Sequence, residues 1–493
     1  MRGMDVVAGF REFLGRPSEP SAPDPEAVRT GVLELFHRVA RTVPAYADFL
    51  HRHGVDPAVV RTHPDFERLP LTTKETYQRR YPLRDLCRDG RLDRCDMIAV
   101  SSGSTGRPTY WPRFLLDELA VAARFEQVFR GAFEADRRRT LAVVCFPLGT
   151  WVGGLYTTAC CRHLAAKGYP ITVVAPGNDK DEILRVVPEL ATSFEQTVLL
   201  GYPPFIKDVI DTGLARGVDW PAFEIKLVLA GEVFSEEWRD LVAARAGMRR
   251  PGHDSASLYG TADAGVLGNE TPLSIAIRRF LAGRPEVAQR LFGESRLPTL
   301  VQYDPRSRFF EARDGTLLFS GDNGIPLIRY HIADEGGLVG HDEMLGFCAR
   351  HGFDAPPPGP PLPFVYVFGR SHFTVSFFGA NVYPENVAVG LEQSEISGWV
   401  TGKFVLEVRE DADRDRILTV AVELAPGAEP TPERTAIAAE SIRTHLRRLN
   451  SEFAHYVPAE RQLPRVTLHP AGDPEYFPRG IKHRYTRPTT GPA

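Results

Sequence analysis

The stretch LAVVCFPLG, residues 141–149, combines an apolar, partly β-branched run with a proline and a glycine at its carboxyl end. Three later stretches are similar, each followed by glycine, proline or both: ITVVAPG (171–177), TVLLGYPP (197–204) and IKLVLAGE (225–232). Helical patterns separate the four runs, and strands that alternate with helices are typical of a parallel sheet with helical crossovers. Because open α/β sheets bind ligands at the loops that follow their strands, we expect the functional site along these loops.

Length and composition narrow the class of protein. With 493 residues, of which 43% are apolar, the chain can bury more than one core, and we expect at least two domains. The 59 Lys and Arg residues nearly balance the 63 Asp and Glu residues, so the basic field typical of nucleic-acid binding is absent and a small-molecule partner is expected.

Neither a signal-peptide pattern nor an apolar run of about 20 residues occurs, so we expect a cytoplasmic protein. The six cysteines are too irregularly spaced for a disulfide framework or a zinc ribbon, and we expect reduced, mostly structural thiols.

A loop rich in serine and glycine, SSGSTGRPT (101–109), follows the apolar residues 97–100. Its glycines allow close approach of the backbone to a ligand, and its hydroxyl and N–H groups can donate to phosphate oxygens. No Lys-Ser/Thr pair follows Gly106, and Pro108 and Pro112 prevent a helix, so this is not a Walker loop. We predict a flap between two strands that binds a polyphosphate; a turn without a ligand is the alternative. The predicted phosphate-binding residues are Ser101, Ser102, Gly103, Ser104, Thr105 and Gly106.

This loop resembles the phosphate-binding loop of the adenylate-forming (ANL) superfamily, which contains acyl-CoA synthetases, nonribosomal adenylation domains and luciferases. The segment LPLTTKET (69–76) resembles the phenylacetate–CoA ligase branch in particular. Further segments resemble motifs of the superfamily in the same order: AGEVFSEEWR (230–239), LYGTAD (258–263), IPLIRYHIAD (325–334), GRSH (369–372), GANVYPE (379–385) and GIKHR (480–484).

The resemblance implies an α/β fold with two domains. Residues 1–369 would form a large N-terminal domain of mixed and parallel sheets with helical crossovers, which binds ATP and the substrate. Residues 370–493 would form a small, mobile α+β domain that carries the catalytic lysine. Arg370 and His372 would form the hinge, although the family usually has Asp or Lys at the position of His372.

The resemblance also implies roles for individual residues. Asp263 would hold Mg²⁺ against the phosphates where the family usually has Glu, and Ala262 replaces a common hydroxyl. Asp334 would accept hydrogen bonds from the ribose hydroxyls, as suits an ionised acceptor, with Arg370 nearby. Lys482 would be the catalytic lysine, offset by one residue from the usual position; an exposed basic tail is the alternative. Other residues implied at the adenine and ribose are Gly231, Glu232, Tyr259 and Gly260.

The substrate pocket is expected among strand-end loops that contain aromatic residues and glycines, and its predicted lining is Phe146, Trp151, Gly153, Tyr202 and Tyr259. Such a lining favours an aryl or arylalkyl acid over a long acyl chain; packing of the aromatic residues in the core is the alternative.

Three functions remain open at this point. The first is an ATP-dependent ligase that forms an acyl-adenylate and transfers the acyl group to coenzyme A. The second keeps adenylation but uses another acceptor or acid: an amine, a carrier protein, or nitrite for diazotisation of aryl amines. The third is a non-catalytic nucleotide-binding homologue, which the departures at Asp263, Ala262 and His372 and the offset of Lys482 would suit.

Overall fold

The computed structural model describes residues 2–16, 20–101, 109–294, 297–356, 359–370, 374–478 and 485–487, without the side chains of 2–5 and 370. The chain divides into two compact units. Unit 1 comprises Met1–Val100, Tyr110–Gly201 and Ile206–Gly369, and unit 2 comprises Ser101–Thr109, Tyr202–Phe205 and Arg370–Ala493.

The described α-helices are α1 (Arg2–Gly15), α2 (Pro25–Thr42), α3 (Pro44–Arg52), α4 (His63–Phe66), α5 (Leu115–Gly131), α6 (Val152–Ala166), α7 (Lys180–Leu190), α8 (Pro203–Ala215), α9 (Glu236–Ala246), α10 (Pro251–Asp254), α11 (Pro272–Ala282), α12 (Pro285–Phe292), α13 (His341–Arg350), α14 (Pro384–Leu391), α15 (Pro432–Leu449) and α16 (Ser451–Tyr456). Short 3₁₀ turns span Pro57–Val59, Arg88–Gly90, Leu92–Arg94, Ala191–Ser193, Trp220–Phe223 and Ala459–Arg461, and a π-helical turn spans Lys74–Gln78.

The described strands are β1 (Met97–Ser101), β2 (Thr109–Arg113), β3 (Thr140–Val144), β4 (Ile171–Val174), β5 (Gln196–Gly201), β6 (Ile225–Ala230), β7 (Ser255–Thr261), β8 (Gly265–Asn269), β9 (Thr299–Gln302), β10 (Arg308–Arg313), β11 (Thr316–Gly321), β12 (Leu327–Val339), β13 (Phe364–Arg370), β14 (Val375–Phe377), β15 (Ala380–Val382), β16 (Val400–Glu410), β17 (Arg416–Leu424) and β18 (Arg465–His469).

A mixed sheet of eleven strands runs through unit 1 in the order β10-β11-β12-β13-β9-β8-β7-β6-β5-β3-β4. From β4 to β7 the neighbouring strands are parallel, whereas β8 pairs antiparallel with both β7 and β9. The four apolar runs predicted as strands are β3, β4, β5 and β6. Every residue of β3 and β5 is buried, as expected for parallel strands that are covered on both faces.

One apolar core joins the N-terminal helices to the β10–β12 end of the sheet. It contains Phe36 of α2, Phe49 of α3 and Phe66 of α4, together with Phe319 of β11 and Tyr330 of β12, all at most 2% exposed. Because α2 to α4 pack here, the segment that follows α4 is brought against β12.

Unit 2 contains a three-stranded sheet in which β16 and β17 are antiparallel and β17 and β18 are parallel. Helix α15 packs on both α14 and β18. Asn450 caps the start of α16 through Phe453 N and donates to Asn381 O at 2.8 Å, which ties α16 to β15. The large mixed sheet and the small α+β unit confirm the predicted fold class; the assigned domain roles and the hinge stay predictions.

All six cysteines are free thiols, and five of them are buried. Within the described part of the chain, none of the helices has the length and apolar character needed to cross a membrane.

Candidate active site

Thr72 joins the segment 69–76 to strand β12. Its backbone N–H donates to Arg329 O at 3.2 Å, and its backbone oxygen accepts from His331 N at 2.9 Å. The Thr72 hydroxyl donates to Ile328 O at 2.9 Å across a sequence separation of 256 residues. Since Thr72 is fully buried, these bonds are shielded from water and hold the two segments in one register.

Asp263 lies in the turn between β7 and β8 and is only 3% exposed. The Tyr330 hydroxyl donates to Asp263 Oδ2 at 2.5 Å, and Lys74 Nζ lies 3.6 Å from Asp263 Oδ1. Among the described residues, Asp263 Oδ1 has no hydrogen-bond partner, so it keeps lone pairs that a cation can use. Mg²⁺ takes oxygen ligands and is often held by one or two carboxylates together with substrate phosphates. Asp263 therefore fits a magnesium site with a single protein carboxylate.

Lys74 is a candidate functional residue to which the sequence motifs assigned no role. It begins the π-helical turn, which Thr73 caps, and its Nζ lies 5.6 Å from the centroid of the Trp111 ring. The ring face and the Asp263 carboxylate both favour an ammonium at this point. The sequence offered one signal for Lys74, its place in the segment 69–76 that resembles a family motif. Nothing in the local sequence indicated that this segment lies near Asp263.

Tyr259 and Asp334 also meet, although 75 residues separate them. The Tyr259 hydroxyl donates to Asp334 Oδ2 at 2.6 Å, and both residues are buried. Tyr259 in turn stacks on Phe310, with ring centroids 6.3 Å apart. The phenol is thus held by β10 and presents its hydroxyl to a carboxylate of β12, so two residues predicted at the adenine and ribose are in direct contact.

The other predicted adenine-side residues lie at the carboxyl ends of β6 and β7, which are parallel neighbours. Gly231 follows β6 with φ of +87°, a conformation that favours glycine, and Glu232 beside it is 6% exposed. Gly260 is also needed on steric grounds, because a Cβ there would lie 2.8 Å from Gly265 O.

Phe146, Trp151 and Gly153 of the predicted substrate pocket lie on the loop and first helical turn after β3. A Cβ on Gly153 would lie 3.5 Å from the Phe146 ring, so these two residues are neighbours. Trp151 forms a β-bridge with Val100 of β1, the strand that leads into the predicted phosphate loop. Tyr202 follows β5 and groups with unit 2, so its place in the same pocket stays a prediction.

His331 lies in β12 between Tyr330 and the predicted ribose residue Asp334. Its Nε2 is 3.0 Å from Thr316 Oγ1. Burial lowers the pKa of His331 below its ordinary value of 6.5, and the nearby Asp334 carboxylate partly opposes this change. The site therefore favours a neutral imidazole.

Comparison with known proteins adds to this geometry. The chain is 22% identical over 401 residues to a phenylacetate–coenzyme A ligase of Aromatoleum evansii, a match that covers 78% of each chain. It is 25% identical over 358 residues to a phenylacetate–coenzyme A ligase of Thermus thermophilus, with 72% of each chain covered. No protein-family model matches the chain.

Solved structures share the fold at lower identity. A 2-hydroxyisobutyryl-CoA ligase in complex with 2-HIB-AMP and CoA superposes with a TM-score of 0.65 at 16% identity, over 96% of this chain and 91% of that chain. The same ligase in its postadenylation state with R3-HIB-AMP gives a TM-score of 0.55 at 17% identity, with 94% and 89% covered. The chain is thus similar in sequence to two phenylacetate–coenzyme A ligases and shares the fold of the 2-hydroxyisobutyryl-CoA ligase.

Several residues implied by the adenylate-forming resemblance lie outside the described part of the chain: Ser102, Gly103, Ser104, Thr105, Gly106, His372 and Lys482. Ser101 ends β1 and is 5% exposed. Arg370 ends β13, and only its backbone is described. The roles of these residues in the phosphate loop, the hinge and catalysis stay predictions.

Proposed function

We propose that this chain activates a small aryl or arylalkyl carboxylic acid with ATP as an acyl-adenylate and transfers the acyl group to coenzyme A. The similarity to two proteins named phenylacetate–coenzyme A ligases supports an ATP-dependent, AMP-forming ligase. The observation that carries the proposal is the meeting of Asp263, Tyr330 and Lys74, three residues from distant parts of the chain.

Each of these groups suits one task in adenylate formation. The acid attacks the α-phosphorus of ATP and pyrophosphate leaves, so catalysis needs positioning and neutralisation of negative charge. Asp334, oriented by Tyr259, accepts hydrogen bonds from the ribose hydroxyls. Asp263 would hold Mg²⁺, which would supply positive charge next to the phosphates. The ammonium of Lys74 adds a positive charge next to the Asp263 carboxylate.

The proposed substrate class rests on the side chains around the loop after β3. Phe146 and Trp151 are at most 9% exposed, and Gly153 leaves room against the Phe146 ring. We propose that these flat apolar side chains line the substrate pocket, where they would suit a planar ring better than a flexible chain. The names of the two homologues, which specify phenylacetate, support the same class.

A turnover assay tests the function. The purified protein is supplied with ATP, Mg²⁺ and a panel of aryl, arylalkyl and short aliphatic acids, with and without coenzyme A, and AMP and pyrophosphate are followed. We expect release of both products with an aryl or arylalkyl acid and a strong increase on addition of coenzyme A. Release of AMP and pyrophosphate that does not depend on coenzyme A would show that coenzyme A is not the acceptor. Amines, a carrier protein and nitrite would then be tested. A protein that binds AMP but turns over none of these would be the non-catalytic homologue.

A further inference from the structure

Two buried guanidinium groups hold the turn that carries Asp263. Arg113 of β2 donates through Nη2 to Ala262 O, and Arg308 of β10 donates through Nη2 to Ala264 O at 3.3 Å. These are the carbonyl groups of the residues directly before and after Asp263. Because a peptide unit is planar, holding the Ala262 carbonyl fixes the peptide unit that ends at Asp263 N, and holding the Ala264 carbonyl anchors the chain one peptide unit beyond Asp263. The turn is thus restrained on both sides of Asp263, which restricts the directions that its side chain can take.

A single carboxylate aligns both guanidinium groups. Asp117 of α5 accepts at Oδ1 from Arg308 Nη2 at 3.2 Å, and its Oδ2 lies 3.6 Å from Arg113 Nη1. The Tyr156 hydroxyl donates to Asp117 Oδ2 at 3.1 Å. All four side chains belong to unit 1 and are nearly inaccessible, with exposures of 0% for Arg113, 2% for Asp117, 3% for Tyr156 and 4% for Arg308.

Stability alone is a weak reason for such a cluster. Desolvation of buried charges is costly, and apolar replacements of buried ion pairs are often neutral or stabilising. Moreover, Arg113 Nε and Nη1 and Arg308 Nε have no hydrogen-bond partner among the described residues. The hydrogen bonds that the two guanidinium groups do make go to Asp117, to the carbonyl of Ser307 and to the two carbonyls beside Asp263. The cluster therefore restrains the turn that carries Asp263.

We propose that Arg113, Arg308 and Asp117 are positioning residues that orient Asp263 for Mg²⁺ during adenylate formation. This rests on the proposed function, in which Asp263 holds the ion. Loss of a group that orients a metal ligand typically weakens metal binding about 10- to 100-fold. We expect a loss in this range when either end of the Arg113–Asp117 pair is changed, with little effect on AMP binding, because the proposed ribose residue Asp334 lies on a different strand.

The test measures metal binding separately from turnover. The protein is saturated with α,β-methylene-ATP, free Mg²⁺ is titrated, and the further rise in melting temperature is followed. Arg113→Lys keeps the charge but loses the planar fork, and Asp117→Asn keeps the shape but loses the charge. Arg124→Lys is the matched control, since Arg124 is a buried arginine of the same helix as Asp117 that pairs with Asp304 at 3.6 Å.

We expect Asp263→Ala to abolish the rise caused by Mg²⁺, and Arg113→Lys and Asp117→Asn to move its midpoint to about 10-fold higher Mg²⁺ or more. The Arg124→Lys variant should keep the wild-type midpoint. If Asp263→Ala keeps the rise, the metal role in the proposed function is wrong and the positioning role falls with it. Two results would overturn only the positioning role, provided that Asp263→Ala abolishes the rise. In one, both cluster variants keep the wild-type Mg²⁺ midpoint; in the other, the midpoint of Arg124→Lys shifts as much as theirs. Should one cluster variant fail to fold, the other decides.

Discussion

The Tyr330 hydroxyl donates a 2.5 Å hydrogen bond to Asp263, although the two residues are 67 positions apart. Tyr330 is itself held by Thr72, whose backbone pairs with β12 on either side of it. The carboxylate that the sequence predicts for a metal is thus supported from two distant parts of the chain.

Tyr330→Phe should lower the free energy of unfolding by about 1–3 kcal/mol, because it removes the donor and leaves a buried carboxylate oxygen without its partner. Unfolding in urea, followed by circular dichroism, measures this. Tyr46→Phe is the control: Tyr46 is equally buried, but its hydroxyl has no partner among the described residues, so its removal should cost nothing or stabilise. Equal losses in both variants would contradict a role for the hydroxyl of Tyr330.

Asp334→Ala should remove most of the rise in melting temperature that AMP causes, while the variant stays folded. A ligand that binds only the native state stabilises it by mass action, so loss of the ribose contact weakens the effect. Thermal unfolding with and without saturating AMP is the measurement. An unchanged shift would place the ribose elsewhere.

Lys74→Met should slow adenylation on the order of 10²- to 10³-fold, by analogy with removal of one preorganised donor at a charged transition state. The methionine keeps an apolar stem beside Trp111 but has no charge near Asp263. Pyrophosphate exchange measures the rate. The control is Lys207→Met, which removes a buried lysine that pairs with Asp211 at 2.8 Å; it should affect stability and leave the rate per folded molecule intact. A Lys74→Met rate within a few-fold of wild type would rule out an active-site role for this charge.

Lys482→Ala should slow adenylation by a similar factor, while transfer from a supplied acyl-adenylate and the melting shift with AMP stay near normal. In the proposed mechanism the Lys482 ammonium acts at the reacting phosphorus and contributes little to adenine binding. All three quantities are measured on one variant. Adenylation that survives within a few-fold would make Lys482 a charge of the basic tail.

The stability of the protein should fall as the pH drops below about 6.5, in part because of His331. Burial lowers the pKa of His331 in the folded protein, so the unfolded chain binds this proton more readily. The unfavourable contribution grows as the pH falls through 6.5 and levels off below the folded pKa. His331→Gln should therefore show a smaller decrease in the urea midpoint between pH 7.5 and pH 5, whereas His51→Gln, at an exposed position, should match wild type. Identical slopes for His331→Gln and wild type would argue against this contribution.

The sequence by itself determined the strands β3 to β6 and the class of the fold. Apolar runs that end in glycine or proline are local signals. Parallel strands that are buried on both faces need apolar residues at nearly every position, so such runs identify them. The ordered motifs also indicated the family, and with it Asp263, Tyr259 and Asp334 as candidate site residues.

Only the tertiary structure decided which of these groups meet. Three contacts join segments that are far apart in sequence. Lys74 lies close to Asp263, the Tyr259 hydroxyl donates to Asp334, and Arg113 donates to the Ala262 carbonyl. No local propensity encodes such contacts, because they depend on how α2 to α4 pack against the sheet and on the register in which Thr72 pairs with β12. Periodicity specifies which face of an element is buried, whereas the partner across that face is selected by the packing of the whole core.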